Sequence, residues 1–242
     1  MYINIILWED SMPELISSEM AKSLAQNDIA QLIDHTALRP DTSGIQIEKL
    51  CREAREYHFY SVCINSYFIP LAKAFLNNSD VKICTVVGFP LGANLTRVKE
   101  YEAIESVKEG ATEIDMVINI SALKDKDYQK VKKDILAVVK VAQGLVCKII
   151  LETILLNNEE KEIACQIAGE AGAHFVKTST GFESGGATVE DVRLMRKVVG
   201  NHMGVKAAGG IKDYKTALKM IEAGATRIGA SKGVEIVKKI SL

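Results

Sequence analysis

The feature that most constrains this chain is an alternation, begun near Ile29 and kept up almost to its end, of short β-branched runs with longer segments of helical period. Such runs read as strands buried on both faces, and a helix between two of them is the crossover of a parallel sheet. The predicted strands cover 31–35, 61–65, 82–88, 113–119, 147–152, 175–179, 204–207 and 227–230. Eight βα units close on themselves as a (β/α)8 TIM barrel, whereas an open doubly wound sheet would carry a glycine fingerprint after its first strand, and none follows His35.

The helical segments carry core-facing stripes, such as Val131, Ile135, Val138 and Ala142, or Ile163, Ile167 and Ala171. Three of them end on one phrase, with Gly110, Gly172 and Gly224 placed where a helix hands over to a strand. Thr188 followed by Asp191 predicts a helix N-cap. Residues 13–27 are amphipathic and predict a helix capping the bottom of the barrel. Residues 1–12 are expected to be an extension of a single domain spanning 13–242.

At 242 residues the chain has the length of one such barrel and can bury a core without a disulfide or metal staple. A formal net charge of -1 gives no electrostatic footprint for nucleic acid or an anionic membrane surface. The apolar start at Met1 lacks a basic flank, is too short to span a bilayer, and runs into Glu9 and Asp10, so neither signal peptide nor membrane segment is expected. Five cysteines with no CxxC pair read as reduced thiols in a cytoplasmic protein. His35, His58, His174 and His202 are scattered without metal-ligand spacing, which predicts metal-independent chemistry with no cofactor.

A barrel of this kind builds its site at the C-terminal ends of the strands. Three ionisable residues interrupt apolar runs there: Asp115, Lys177 and Lys206. One strand-end lysine alone would be assigned to snorkelling or a structural ion pair. Two lysines on consecutive strands with an aspartate on a third favour a lysine whose pKa is lowered by burial and by its cationic neighbour. A neutral amine so placed attacks an aldehyde or ketone to form an imine, the electron sink for carbon–carbon cleavage, while Asp115 steadies the second ammonium and shuttles protons. Thr180-Gly181, Gly209-Gly210, and Gly229 with Ser231 and Gly233 form glycine-rich turns after the late strands. With Lys232 alongside, they fit a phosphate better than tight-turn geometry alone.

At these residues the sequence resembles the deoxyribose-phosphate aldolase family. The matching segments are Leu-Ile-Asp-His-Thr-Ala-Leu at 32–38, Ser-Val-Cys-Ile-Asn at 61–65, Val-Val-Gly-Phe-Pro-Leu-Gly at 86–92, Glu-Ile-Asp-Met-Val-Ile-Asn at 113–119, Phe-Val-Lys-Thr-Ser-Thr-Gly-Phe at 175–182 and Val-Lys-Ala-Ala-Gly-Gly-Ile at 205–211. The resemblance implies a class I aldolase in which Lys177 forms a Schiff base with 2-deoxy-D-ribose 5-phosphate, with Asp115 and Lys206 as proton relay. It also implies that Asp34 and Thr36 orient sugar hydroxyls, that Cys63 lines the aldehyde pocket, and that Thr180, Gly181, Gly209, Gly210, Gly229 and Ser231 hold the substrate and its phosphate. Family members are often homodimers or larger homo-oligomers. Many carry a serine where Lys232 stands, one branch has a lysine where Phe182 stands, and many end in a tyrosine, whereas this chain ends Ser241-Leu242. Two other readings share these features: an imine-forming lyase for a larger phosphosugar, and a barrel that binds a phosphosugar without turning it over.

Overall fold

In the computed structural model, which describes residues 26–142 and 144–238, eight parallel strands close in sequence order. They are β1 (Ile33–Ala37), β2 (Ser61–Ile64), β3 (Lys82–Val87), β4 (Glu113–Val117), β5 (Val146–Ile150), β6 (Phe175–Lys177), β7 (Gly204–Ala208) and β8 (Arg227–Ala230). Strand β1 pairs with both β2 and β8, so the barrel has no open edge. A short helix α1 (Gln26–Ala30) precedes the barrel, and α2 (Gly44–Glu56), α3 (Ile69–Phe75), α4 (Thr96–Glu109), α5 (Ile120–Lys124), α6 (Tyr128–Ala142), α7 (Asn158–Glu170), α8 (Val189–Val199), α9 (Tyr214–Glu222) and α10 (Gly233–Lys238) surround it. The predicted capping helix falls at 13–25 outside the described residues, as does the extension at 1–12; only its last two positions belong to α1.

Local chemistry explains where the helices start and stop. Ser43 with Gln46 and Asn157 with Glu160 make reciprocal capping boxes ahead of α2 and α7, and the Thr188 side chain accepts from the Asp191 N–H ahead of α8. Gly110, Gly172 and Gly224 turn the chain at positive φ of 120°, 79° and 109°, as the repeated phrase predicts.

Each strand has two buried faces of different character. Outward, Ile64, Ile114, Met116, Ile149, Val176, Val205 and Ile228 join Val131, Ile135 and Val138 of α6 in one continuous apolar layer. Each such side chain contributes roughly 1.5–3 kcal/mol by leaving water, and this layer holds the barrel together. The inward face holds a separate small apolar cluster, Leu38, Cys63, Cys84 and Val86, and is otherwise largely polar.

Several strands end earlier than predicted, at Ile150 rather than 152 and at Lys177 rather than 179. In both places the chain leaves the ladder because other bonds replace it. Glu152 adopts a left-handed φ of 56°, and the Thr178 hydroxyl donates to the Ala208 carbonyl. Strand β1 lies about two residues later than predicted, which brings Thr36 into it.

At the N-terminal end of the strands the lumen is floored by Phe175. Its ring fills the space left by Gly204, where a Cβ would collide with it. The Arg227 guanidinium stacks 3.4 Å from the centroid of the Tyr60 ring beside it. Below that floor lies a cavity of about 1060 Å³ lined by Tyr60, His174, Phe175, His202, Met203 and Arg227, among others. No helix among the described residues is long and apolar enough to cross a membrane.

Candidate active site

Side chains two residues apart on a strand share a face, so Glu113 and Asp115 both point into the lumen. Parallel register then sets Asp115 beside Lys148, Lys177 beside Lys206, and Lys206 beside Arg227. With Asp34 of β1, these residues form one buried network. Asp115 is its centre. Its Oδ2 accepts from Lys177 Nζ at 2.8 Å and from Lys206 Nζ at 2.7 Å, while its Oδ1 accepts from Lys148 Nζ at 2.9 Å and from Cys84 Sγ at 3.2 Å. Asp34 pairs with Lys206 and, at 2.9 Å, with Arg227. Glu113 accepts from Lys148 at 2.5 Å and from Arg227 at 3.3 Å.

An unpaired charge could not remain ionised at this depth, so the count of signs matters. Three carboxylates, Asp34, Glu113 and Asp115, face three cations, Lys148, Lys206 and Arg227, and those six balance; Lys177 is the additional amine. Burial would raise the Asp115 carboxyl, but Lys148, Lys177 and Lys206 outweigh it and hold it well below the usual range. Asp34 is likewise lowered, with Lys206 and Arg227 overcoming burial.

Lys206 stands where the sequence reading puts a second ammonium beside Asp115. Burial pulls it down, but Asp115 and Asp34 push it further up, so it stays an ammonium. Opposite charges at contact distance outweigh both desolvation and the neighbouring cations. Lys148 is raised for the same reason, chiefly by Asp115 against its burial.

Cys63 stands on β2 beside its register partner Cys84 on β3. Its thiol is lowered to about 7, first by hydrogen bonding with Cys84 against the effect of burial, and next by Lys206. Burial, then the bond with Cys63, raises the Cys84 thiol. Cys63, Cys84 and Asp115 are close enough to share a metal ion, as are Asp34, Cys84 and Glu113. Their carboxylates are already matched to ammonium and guanidinium groups, which works against a further cation there.

Of the remaining predicted residues, Thr36 extends β1 and its hydroxyl donates to the Asp34 carbonyl at 2.8 Å. Thr180 and Gly181 lie just past β6, after Thr178 and Ser179, and Gly209 and Gly210 follow β7 directly. Gly181, Gly209 and Gly210 have φ of 83°, 91° and 79°, and a Cβ on Gly181 or Gly210 would meet nothing within 4 Å. Those two glycines are required by backbone conformation, and their open side leaves room for a ligand. Gly229 lies inside β8, within the predicted strand 227–230 rather than in the turn grouped with Ser231 and Gly233, and a Cβ there would come within 2.9 Å of Ala208 Cβ and 3.2 Å of Lys206 Cε, so it makes room for the network. Ser231 follows it on the exposed rim, where Lys232 pairs with Glu235 at 2.8 Å. Phe182 is exposed and packs edge-on against Phe89, with ring centroids 5.2 Å apart.

Sequence reasoning misses Lys148, Glu113, Arg227, Cys84 and Glu152. A signal exists for the first three: each is a charged residue in a strand whose other face is covered by helices, so the lumen is the place left for it. The chain matches the family described as DeoC/LacD family aldolase over residues 29–240.

The chain belongs to that family. It is 61% identical over 214 residues to a Caldanaerobacter subterraneus protein named deoxyribose-phosphate aldolase, covering 87% of this chain and 93% of the relative. A Thermococcus kodakarensis protein of the same name is 61% identical over 217 residues, covering 88% and 97%. Among solved structures, one described as QR15, an aldolase, superposes with a TM-score of 0.85 at 44% identity, covering 88% of this chain and 96% of that one. A deoxyribose phosphate aldolase from Aeropyrum pernix, described as having a unique tetrameric structure, gives a TM-score of 0.84 at 32% identity, covering 90% and 92%.

Proposed function

We propose that this class I aldolase cleaves 2-deoxy-D-ribose 5-phosphate reversibly into acetaldehyde and D-glyceraldehyde 3-phosphate through a Schiff base at Lys177. The observation that carries this reading is the single Asp115 carboxylate shared between Lys177 at 2.8 Å and Lys206 at 2.7 Å in a buried lumen. Lys177, in its amine form, attacks the C1 aldehyde, and loss of water gives the iminium. Removal of the C3 hydroxyl proton then breaks the C2–C3 bond, whose electrons move into the iminium to leave an enamine. Protonation of the enamine at C2 and hydrolysis release acetaldehyde and restore Lys177.

Asp115 sits where protons must pass between amine, hydroxyl and water, and Lys206 acts as the fixed positive charge that steadies it. Asp34 holds Lys206 in that role. The backbone N–H groups of Gly181, Gly209 and Gly210, with Ser231, form the cradle for the phosphate. Thr36, Thr180 and Cys63 line the space between. Gly229 contributes by leaving room for Lys206 rather than by touching phosphate.

Reduction with borohydride in the presence of acetaldehyde tests this: Lys177 should be recovered as N-ethyl-lysine. An adduct elsewhere, or none, sinks the assignment. We further infer a homo-oligomer in the cytoplasm. Five buried free cysteines fit a reducing compartment. Leu95, Val98 and Tyr101, exposed at helical spacing along the start of α4, fit a subunit contact that sedimentation would detect.

A further inference from the structure

Glu152 is buried at the mouth of the barrel, and the reaction steps above give it no part. It follows β5 at a left-handed φ of 56°, a conformation that non-glycine residues adopt rarely and that persists only where the surroundings impose it. The chain on either side imposes it here. The Leu151 N–H donates to the Lys177 carbonyl at 2.9 Å, and the Thr153 N–H donates to the Thr178 carbonyl at 3.0 Å. Glu152 is thereby clamped to the segment that carries the imine-forming lysine.

Its two oxygens are used differently. Oε2 accepts from the Thr180 N–H at 3.1 Å and also from the Thr180 hydroxyl. Oε1 is buried and has no hydrogen-bond partner among the described residues, which is rare for a carboxylate oxygen in a protein interior. Thr180 is constrained in turn. Its single hydroxyl proton goes to Glu152 and one lone pair accepts from the Phe182 N–H at 3.1 Å, so its remaining capacity is as an acceptor. Two acceptors are therefore set side by side just beyond Lys177, with Gly181 next in the chain after Thr180.

We propose that Glu152 is the positioning residue for the hydroxyl-bearing, phosphorylated half of the substrate, fixing Thr180 as an acceptor and offering its own Oε1 to a hydroxyl of that half. The proposal rests on the aldolase reading above and adds the basis on which the three-carbon fragment is selected. Burial pushes the Glu152 carboxyl up, against the bonds from Thr180, and an Oε1 lone pair can accept in either protonation state.

The test compares two acceptors for acetaldehyde: D-glyceraldehyde 3-phosphate and 3-oxopropyl phosphate, which lacks the hydroxyl. Glu152→Gln should lower kcat/KM for the hydroxylated acceptor by about 10- to 100-fold, mainly through KM. It should leave the deoxy acceptor and the borohydride trapping of acetaldehyde at Lys177 within about twofold of wild type. Thr180→Val should lower the ratio of hydroxylated to deoxy acceptor in the same direction, and the double variant should lower it little beyond either single one. Equal loss with both acceptors, or loss of trapping, would mean a merely structural role and overturn the proposal; so would an unchanged Glu152→Gln. If Glu152→Gln does not fold, the acceptor ratio of Thr180→Val decides alone. A wild-type enzyme that does not cleave deoxyribose 5-phosphate would instead overturn the reaction itself, and is distinguished from these outcomes by being seen with the unaltered protein.

Discussion

Two buried lysine–aspartate pairs in this protein look alike by distance and differ in everything else. Between the barrel and its helices, Lys99 of α4 meets Asp134 of α6 at 2.5 Å, and its ammonium also donates to the Val117 carbonyl at 2.9 Å. That aspartate answers one lysine. In the lumen, Asp115 answers three. Burial pulls Lys99 below its ordinary range in spite of Asp134, whereas Lys206 is held above it because two carboxylates face it. A one-to-one pair fixes a helix against its neighbour. A shared carboxylate brings three amine groups to one acceptor, the geometry that a proton relay needs.

The comparison is broken most severely at Lys177. Lys177→Met should reduce cleavage of deoxyribose 5-phosphate below detection while the circular dichroism spectrum is kept; residual turnover above about a thousandth of wild type would refute an obligatory imine at this residue. Asp115→Asn comes next, with an expected loss of kcat of about 10²- to 10⁴-fold, because the amide cannot relay protons. Lys99→Met should act on the other side of the divide. It leaves Asp134 unmatched, costing about 3–5 kcal/mol of stability, or a fall in Tm of roughly 6–20 °C, with kcat at low temperature nearly unchanged. If Lys99→Met impaired turnover as much as Asp115→Asn, the distinction between the two pairs would collapse.

Acid should expose the lumen carboxylates. The folded-state pKa values of Asp34 and Asp115 are depressed, so the stabilisation these two give is fully present above the unfolded carboxylate range near 4, and is lost as pH falls toward the folded values. Stability measured in urea should therefore drop steeply below about pH 4, and Asp34→Asn should flatten that slope. Prolonged dialysis against EDTA should have the smallest effect, leaving kcat within error; complete loss would require a metal-dependent mechanism instead.

Much of this architecture is legible in the sequence. Eight apolar runs with helices between them specify the barrel, and Asp115, Lys177 and Lys206 stand out because charge inside such a run must be accommodated. Lys148 escapes notice because its neighbours Cys147 and Ile149 face the opposite side of β5 and make the run read as uniformly apolar. The pairing of Lys206 with Asp34 is hidden too, because pairing across the ring is a matter of register. Glu152 reads as the last residue of a strand; only its left-handed turn reveals that it leaves the ladder to reach Thr180. Gly229 reads as a turn glycine because spacing alone does not separate a strand that must admit a lysine from a loop that must bend.

The Phe175 ring set over Gly204, with Arg227 stacked on Tyr60 beside it, separates the reacting centre from the wide cavity below. Among the described residues the chamber is closed below by these side chains, and it opens at the loop end. In the reaction proposed above, whatever arrives last departs first: the phosphorylated three-carbon aldehyde clears the entrance before the two-carbon fragment proposed to be tethered at Lys177 is freed by water. Sequential traffic of this kind makes ordered release a product of architecture, with no moving gate required.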